Sequence, residues 1–376
     1  MAIALNMRFA VIAAILACSL RAEPWPLERL FSRPYAWGTT PAKAAWSKQG
    51  GVLLFLWNVE GRRFMDLYAY RPATQSLARL TNLESVDDPI NRPATEKDER
   101  QKLYLEPPEG IADFDISRDG ARAAFSYRGD LYLVNTSGAT NQDSLFRLTR
   151  TKAVESNPAF SPCGNKLAFA RDGQLFVQDL HTGQLWQVTE IEGEGASLGA
   201  WRWSPDGKQF VYTVRAGAGR KLLLPNYAGR LVTANGFPRT LPGDPPTEAK
   251  IYVIPAAGGT PLAMEPGPWG EKALAFGAPR WSPDSRWLLR TAVHPSLKHA
   301  AILVNDPVGG KARVVAEDKD AAWVEPFFAA WSPDSSRILF SSERDGWSHL
   351  YIVSKDGGEP RQITRGAWQV DNDRSF

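Results

Sequence analysis

Trp203-Ser204-Pro205-Asp206-Gly207-Lys208-Gln209-Phe210-Val211-Tyr212 packs an aromatic residue, a turn and an apolar run into ten consecutive positions. Proline fixes φ at the second position of a turn, an Asp side chain can bond back to the backbone, and glycine tolerates a left-handed exit, so the chain reverses between two strands. Five further windows share the pattern: Trp46-Ser47-Lys48-Gln49-Gly50, Ile116-Ser117-Arg118-Asp119-Gly120, Phe160-Ser161-Pro162-Cys163-Gly164, Trp281-Ser282-Pro283-Asp284-Ser285 and Trp331-Ser332-Pro333-Asp334-Ser335. Ser117, Ser161 and Ser204 stand 44 and 43 residues apart. That spacing matches a repeating unit of four short strands, about 40–45 residues long. Wider gaps, 70 residues from Ser47 to Ser117 and 78 from Ser204 to Ser282, hold a charged stretch (Glu84 to Gly110) and an Arg/Gly/Pro-rich one (Arg215 to Thr247). Long excursions from a rigid scaffold are where binding residues gather.

The rest of each unit follows from the alternation of apolar and polar residues. A buried strand is predicted after each turn, as at Val52 to Phe55, Ala123 to Phe125, Leu167 to Phe169, Phe210 to Tyr212, Leu288-Leu289 and Ile338 to Phe340. A third strand follows (Asp66 to Tyr68, Asp130 to Val134, Gln174 to Val177, Lys250 to Val253, Ala301 to Val304, His349 to Val353), and four units close on a strand ending in threonine: Arg79-Leu80-Thr81, Arg147-Leu148-Thr149, Gln187-Val188-Thr189 and Gln362-Ile363-Thr364. No window of comparable strength has helical period. A lone four-stranded sheet exposes two faces, and radial stacking buries both. A sandwich of unrelated strands would not require one turn motif to recur at this spacing. The sequence therefore predicts an all-β fold, a β-propeller of four-stranded blades with at least six blades over residues 23–376. The 14 Trp, 17 Phe and 10 Tyr fit aromatic-rich strands.

Charge and the N-terminus narrow the setting. Net charge is +3, and no basic cluster is interleaved with aromatics, so nucleic acid is not an expected partner. The apolar run Phe9 to Leu20, with Arg8 before it and Arg21-Ala22-Glu23-Pro24 after it, reads as a signal peptide over residues 1–22 and places the mature chain in the periplasm, outer envelope or extracellular space. Ile15-Leu16-Ala17-Cys18 loosely matches a lipobox, making Cys18 a candidate lipid anchor. No later stretch is apolar enough to span a membrane. After cleavage only Cys163 remains, so no internal disulfide can form.

Residues Ser342-Glu343-Arg344-Asp345-Gly346-Trp347-Ser348-His349-Leu350-Tyr351, with Gly357-Gly358, Arg361 to Thr364 and the opening Leu27-Glu28-Arg29-Leu30-Phe31, resemble the N-terminal propeller of dipeptidyl peptidase IV-like serine peptidases, in the prolyl oligopeptidase group. The resemblance implies an eight-bladed ring stacked on an α/β-hydrolase domain, with short peptides admitted to a Ser-Asp-His site. On that reading one or two blades and the hydrolase domain lie outside this chain, and its partners are a peptide substrate and that domain. A second reading, a standalone envelope propeller binding a protein partner as Tol-associated propellers do, shares the Ser-Pro-Asp-Gly turns.

Candidate site residues are few. Family members that remove dipeptides hold the substrate's amine with paired glutamates ahead of a Trp-Ser-Pro window. Here the matching positions are Glu192 and Glu194, without the aromatic lead-in or the adjacency of the family pattern. A solvated acidic turn is the plain alternative. Gly195-Ala196-Ser197-Leu198-Gly199 fits G-x-S-x-G but runs into a blade strand rather than a helix, which argues against a nucleophile elbow. His181, His294, His299 and His349 read as surface or strand-end residues, and Asp87-Asp88 as a solvated pair. No metal or cofactor motif is present, and no catalytic residue is expected in this chain.

Overall fold

Each blade follows from its turn. The computed structural model describes residues 26–27, 29, 38–59, 64–83, 109–137, 144–193, 195–216, 220–227, 232–239, 248–270, 274–325 and 328–370. The predicted signal peptide with Cys18, the Asp87-Asp88 pair and Glu194 lie outside the described residues.

The first blade comprises β1 (Ala42–Trp46), β2 (Leu53–Trp57), β3 (Phe64–Arg71) and β4 (Ser76–Arg79), with β5 (Glu109–Gly110) pairing in parallel with β3. The second holds β6 (Phe114–Ile116), β7 (Arg122–Tyr127), β8 (Asp130–Asn135) and β9 (Leu145–Arg147), and the third β10 (Glu155–Phe160), β11 (Lys166–Arg171), β12 (Gln174–Asp179) and β13 (Leu185–Gln187). In the fourth, β14 (Ser197–Trp203) and β15 (Gln209–Ala216) are followed by a separate hairpin, β16 (Arg220–Asn226) with β17 (Thr233–Arg239), before β18 (Glu248–Pro255) and β19 (Leu262–Ala263) complete the sheet. The fifth is β20 (Leu274–Trp281), β21 (Leu288–Val293), β22 (His299–Asn305) and β23 (Ala312–Lys319); the sixth is β24 (Ala329–Trp331), β25 (Arg337–Ser342), β26 (His349–Ser354) and β27 (Arg361–Gln362). All pairings within these six four-stranded paths are antiparallel, so the expected blades are present in chain order. The Arg215 to Thr247 excursion holds a hairpin that the sequence reading left without secondary structure.

The recurring serine is the keystone of the turn. In all six turns the serine N–H donates to the carbonyl five residues on, and its Oγ accepts that residue's N–H, from Val52, Arg122, Lys166, Gln209, Trp287 and Arg337 at 2.9–3.3 Å. The hydroxyl of Ser117, Ser204, Ser282 and Ser332 donates to the aspartate two residues later at 2.5–2.6 Å. Donation from Ser117 holds the Asp119 carboxyl below its usual 3.8, and donation from Ser332, then Ser336, brings Asp334 down to about 2.

The fourth turn position is left-handed throughout, at φ 60–78° from Gly50 to Ser335. At four of the six turns, Gly120, Gly207, Ser285 and Ser335, it also meets the neighbouring blade. A Cβ on Gly120 would lie 2.9 Å from Ser47 Cβ, and one on Gly207 3.3 Å from Pro162 Cδ. Where serine replaces glycine it accepts the strain and bonds across: Ser285 Oγ takes the N–H of Asp206 at 3.0 Å, and Ser335 Oγ that of Asp284 at 3.1 Å.

Aromatic pairs run across the middle of the sheets. Phe55 with Tyr68, Phe125 with Tyr132, Phe169 with Phe176, Tyr212 with Tyr252 and Phe340 with Tyr351 face each other between second and third strands, centroids 5.4–6.0 Å apart. Apolar clusters then join each blade to the next. Leu54, Leu56 and Leu67 meet Ala123 and Phe125; Ala124 and Leu131 meet Phe160 and Phe169; Leu175 and Val177 meet Phe210 and Tyr212; Val211 and Val253 meet Trp281 and Leu288; Ile302 and Val304 meet Ile338 and Phe340. Full burial of each such side chain contributes about 1.5–3 kcal/mol, so these faces dominate the fold's stability.

Two outcomes are expected. Gly164→Ala meets nothing within 4 Å and carries only the left-handed strain, whereas Gly120→Ala adds a clash, so urea denaturation should show the larger loss at Gly120, about 2–3 kcal/mol against about 1 kcal/mol. Asp119, Asp284 and Asp334 have depressed pKa values, so their contribution is complete above the usual 3.8 and is lost as pH falls through the folded-state values, about 2 for Asp334. NMR titration of Ser332→Ala should return the Asp334 carboxyl part of the way to its ordinary value, with the Ser336 hydroxyl and N–H still holding it below.

Candidate functional site

Antiparallel neighbours alternate in direction, so the end opposite the serine turns collects the turns between second and third strands and the links from one blade to the next. Glu192, Ser197, His294, His299 and His349 fall at this rim, and His181 at the serine-turn end. Threonines fasten the rim. Thr81, Thr149, Thr189 and Thr364 close their units as the sequence indicated, and their hydroxyls accept the N–H of Leu67, Leu131, Leu175 and Leu350 at 2.9–3.0 Å. Each hydroxyl also meets a polar side chain: Thr81 donates to Asp66, Thr149 to Glu155 and Thr189 to Gln174, and Thr364 pairs with His349 Nδ1 at 3.1 Å. His349 is therefore a buried strand-start lock, its Nε2 lying 3.0 Å from the Gly366 carbonyl, rather than a surface residue.

Glu192 stands in the link between β13 and β14. Gln174 clamps the residue before it, accepting the Ile191 N–H at 2.8 Å and donating to the Ile191 carbonyl at 2.9 Å. The Glu192 side chain is exposed on this held segment.

Between the second and third blades lies a buried ionic node. Glu155 is fully buried and receives Arg171 Nε at 3.0 Å, Arg171 Nη2 at 2.7 Å and the Thr151 hydroxyl at 2.9 Å. The Arg171 guanidinium also covers Phe169 and Phe176, at 5.3 and 5.0 Å from the ring centroids. Arg147 donates to Asp130 at 2.6 Å close by. Its full satisfaction and burial mark this node as a blade-to-blade tie.

A cavity of about 440 Å³ opens between the link after β23 and the turn between β25 and β26. Arg344 forms its floor, donating to Asp318 Oδ1 at 2.7 Å and to Ser342 Oγ at 2.9 Å, over the rings of Phe340 and Tyr351. Burial pushes the Asp318 carboxyl above its usual value, against the pull of Ser342 and Arg344. Trp323 lies in the wall with 62% of its surface exposed. The Ser342 to Tyr351 string singled out in the sequence supplies one wall, but the cavity itself was not legible there, because its other wall comes from the irregular link of the preceding blade.

The remaining candidates are quickly placed. Ser197 is the first residue of β14, exposed and paired with Arg215, so the G-x-S-x-G match lies at a strand start without the turn and helix of an elbow. His181 sits exposed in the turn after β12. His294 Nδ1 lies 2.8 Å from Ser296 Oγ, but the same nitrogen accepts the Ser296 N–H at 3.1 Å, which makes the pair a local turn contact. His299 begins β22 on the facing side of that turn. Cys163 is free and exposed in the third serine turn, where Ser161 lowers its pKa. Among the described residues no group of three or more His, Cys, Asp or Glu could hold a metal ion, and no helix is long and apolar enough to cross a membrane.

Residues 117–376 match the family described as the dipeptidyl peptidase IV (DPP IV) N-terminal region, and the chain belongs to that family. Dipeptidyl peptidase 4 of Arthroderma otae is 22% identical over 239 residues, covering 56% of this chain and 31% of that protein. Dipeptidyl peptidase 4 of Trichophyton rubrum is 21% identical over 241 residues, with the same coverage of 56% and 31%. The crystal structure of Porphyromonas gingivalis dipeptidyl peptidase 4 superposes with a TM-score of 0.70 at 16% identity, over 93% of this chain and 50% of that one. This chain thus spans about a third of the length of these sequence relatives, 31%, and half of the solved chain, 50%. At such identity the structural likeness speaks for the fold.

Removing the Glu155 carboxylate strands Arg171 in a mostly buried site. Glu155→Gln should therefore cost about 3 kcal/mol in urea denaturation, and the double variant Glu155→Gln/Arg171→Met should recover part of it.

Proposed function

We propose that the chain is the non-catalytic propeller portion of an exported dipeptidyl peptidase IV-like serine peptidase, which gates and orients short peptides for an α/β-hydrolase domain. In this reading the rim faces that domain, and Glu192, with Glu194 as second carboxylate, receives the substrate's terminal ammonium. A peptide ammonium leaving water requires a fixed negative partner, and a charge-assisted bond to carboxylate is the strongest that side chains supply. The observation that carries the reading is the exposed Glu192 carboxylate beside a backbone clamped on both sides by Gln174. A loop so held keeps its acid in place without compensating its charge. Membership of the family supports the peptidase context. Export rests on the polar-flanked apolar run from Phe9 to Leu20.

The test uses the native gene product purified from its own envelope fraction. A product heavier than this chain that cleaves dipeptidyl anilides is expected. Glu192→Gln should raise KM for free-amine dipeptides about tenfold or more and leave N-acetylated substrates unchanged. Equal effects on both substrate sets would contradict the amine-anchor role. A native product no heavier than this chain, without hydrolase activity, would contradict the peptidase reading itself.

A further inference from the structure

We propose that the cavity between the link after β23 and the turn between β25 and β26 binds an organic cation, the basic side chain of an arginine- or lysine-bearing peptide. This goes beyond the peptide-orienting role proposed for Glu192 and stands on separate residues. The cavity, about 440 Å³, falls within the size range of small-ligand sites.

Charge accounting selects the sign of the ligand. Four carboxylates line the cavity, Asp318, Asp320, Glu325 and Glu343, against two cations, Lys319 and Arg344. Both cations are engaged. Arg344 is bonded to Asp318, and Lys319 Nζ lies 3.5 Å from Glu317, outside the lining. Asp320 takes only the N–H of Ala322, while Glu325 and Glu343 are exposed and have no cationic partner among the described residues. An anion would meet net repulsion there.

Shape and surface select the ligand's type. A small hard metal ion needs converging oxygens, and no such group of carboxylates occurs among the described residues. What the cavity offers instead is an open indole, Trp323, beside dispersed negative charge. A cation within about 6 Å of an indole face is attracted by the ring quadrupole, and a planar guanidinium can stack on it. An apolar stem of three or four carbons can lie along the same ring while its head reaches the carboxylates. Arginine should therefore bind more tightly than lysine.

The experiment titrates the full chain with N-acetyl-arginine amide, N-acetyl-lysine amide and N-acetyl-citrulline amide, followed by calorimetry and tryptophan fluorescence. Citrulline keeps the shape of arginine and removes the charge. Saturable arginine binding is expected, about tenfold tighter than citrulline and weakened by salt. Glu325→Gln/Glu343→Gln and Trp323→Ala should each weaken arginine binding about three- to tenfold. Both altered carboxylates and Trp323 are exposed, so the melting temperature should hold; if it falls, the citrulline comparison on the unaltered chain decides alone. Absence of saturable arginine binding, equal affinity for citrulline, or unchanged affinity in stably folded variants would overturn the proposal. No hydrolysis is read, so failure here leaves the Glu192 reading untouched.

Discussion

A four-stranded sheet with apolar side chains on both faces cannot be stable alone, and that constraint governs this molecule. The central strands show it directly: β21 is buried at every position, and β7, β11 and β25 bury the residues of both faces near their centres. Neighbouring blades supply the missing cover. Each of the five successive interfaces is one apolar cluster, with residues such as Phe125, Phe169 and Phe340 wedged between sheets. The serine turns then lock one end of the stack, each turn touching or bonding to a neighbour. With that end fixed, the opposite rim can vary in loop length and charge without loss of the scaffold.

The fifth blade departs from the pattern. Where other blades place an aromatic residue eight positions after the turn serine, it has Arg290, facing Leu303. The guanidinium is buried and donates to Asn305 Oδ1 at 2.8 Å and to the Glu265 carbonyl at 2.5 Å. Burial lowers its pKa to about 10. Neutral acceptors here replace ring stacking, and the link from β19 is tied down by the same contacts. These contacts lie toward the serine-turn end of the fifth blade, whereas the cavity opens at the opposite rim, beside the link that follows β23.

Much of the fold was legible because it is local. Ser-Pro-Asp-Gly turns, alternating strands and the terminal threonines each lie within a few residues, and each has one physical role. The outer strands β19 and β23 escaped because Glu265 and Val315-Ala316 stand where threonine marks the other blades. The hairpin of β16 and β17 escaped because Pro225, Gly236 and Pro238 interrupt its alternation. Site geometry was less accessible still. Glu192 could be named from its spacing, but the Gln174 clamp comes from a strand 17 residues away, and the Asp318–Arg344 floor joins two blades. Sequence spacing does not encode such cross-blade encounters.

Mutual support between sheets is most directly tested by hydrogen exchange on Phe169→Ala, read by mass spectrometry across the whole chain. Phe169 packs against Ala124 and Leu131 of the preceding blade, and its truncation removes about 3–5 kcal/mol of shared packing. If blades hold one another up, exchange accelerates in β7 and β8 as well as in β11 and β12. Faster exchange confined to the third blade, with the second unchanged, would show that the sheets stand independently.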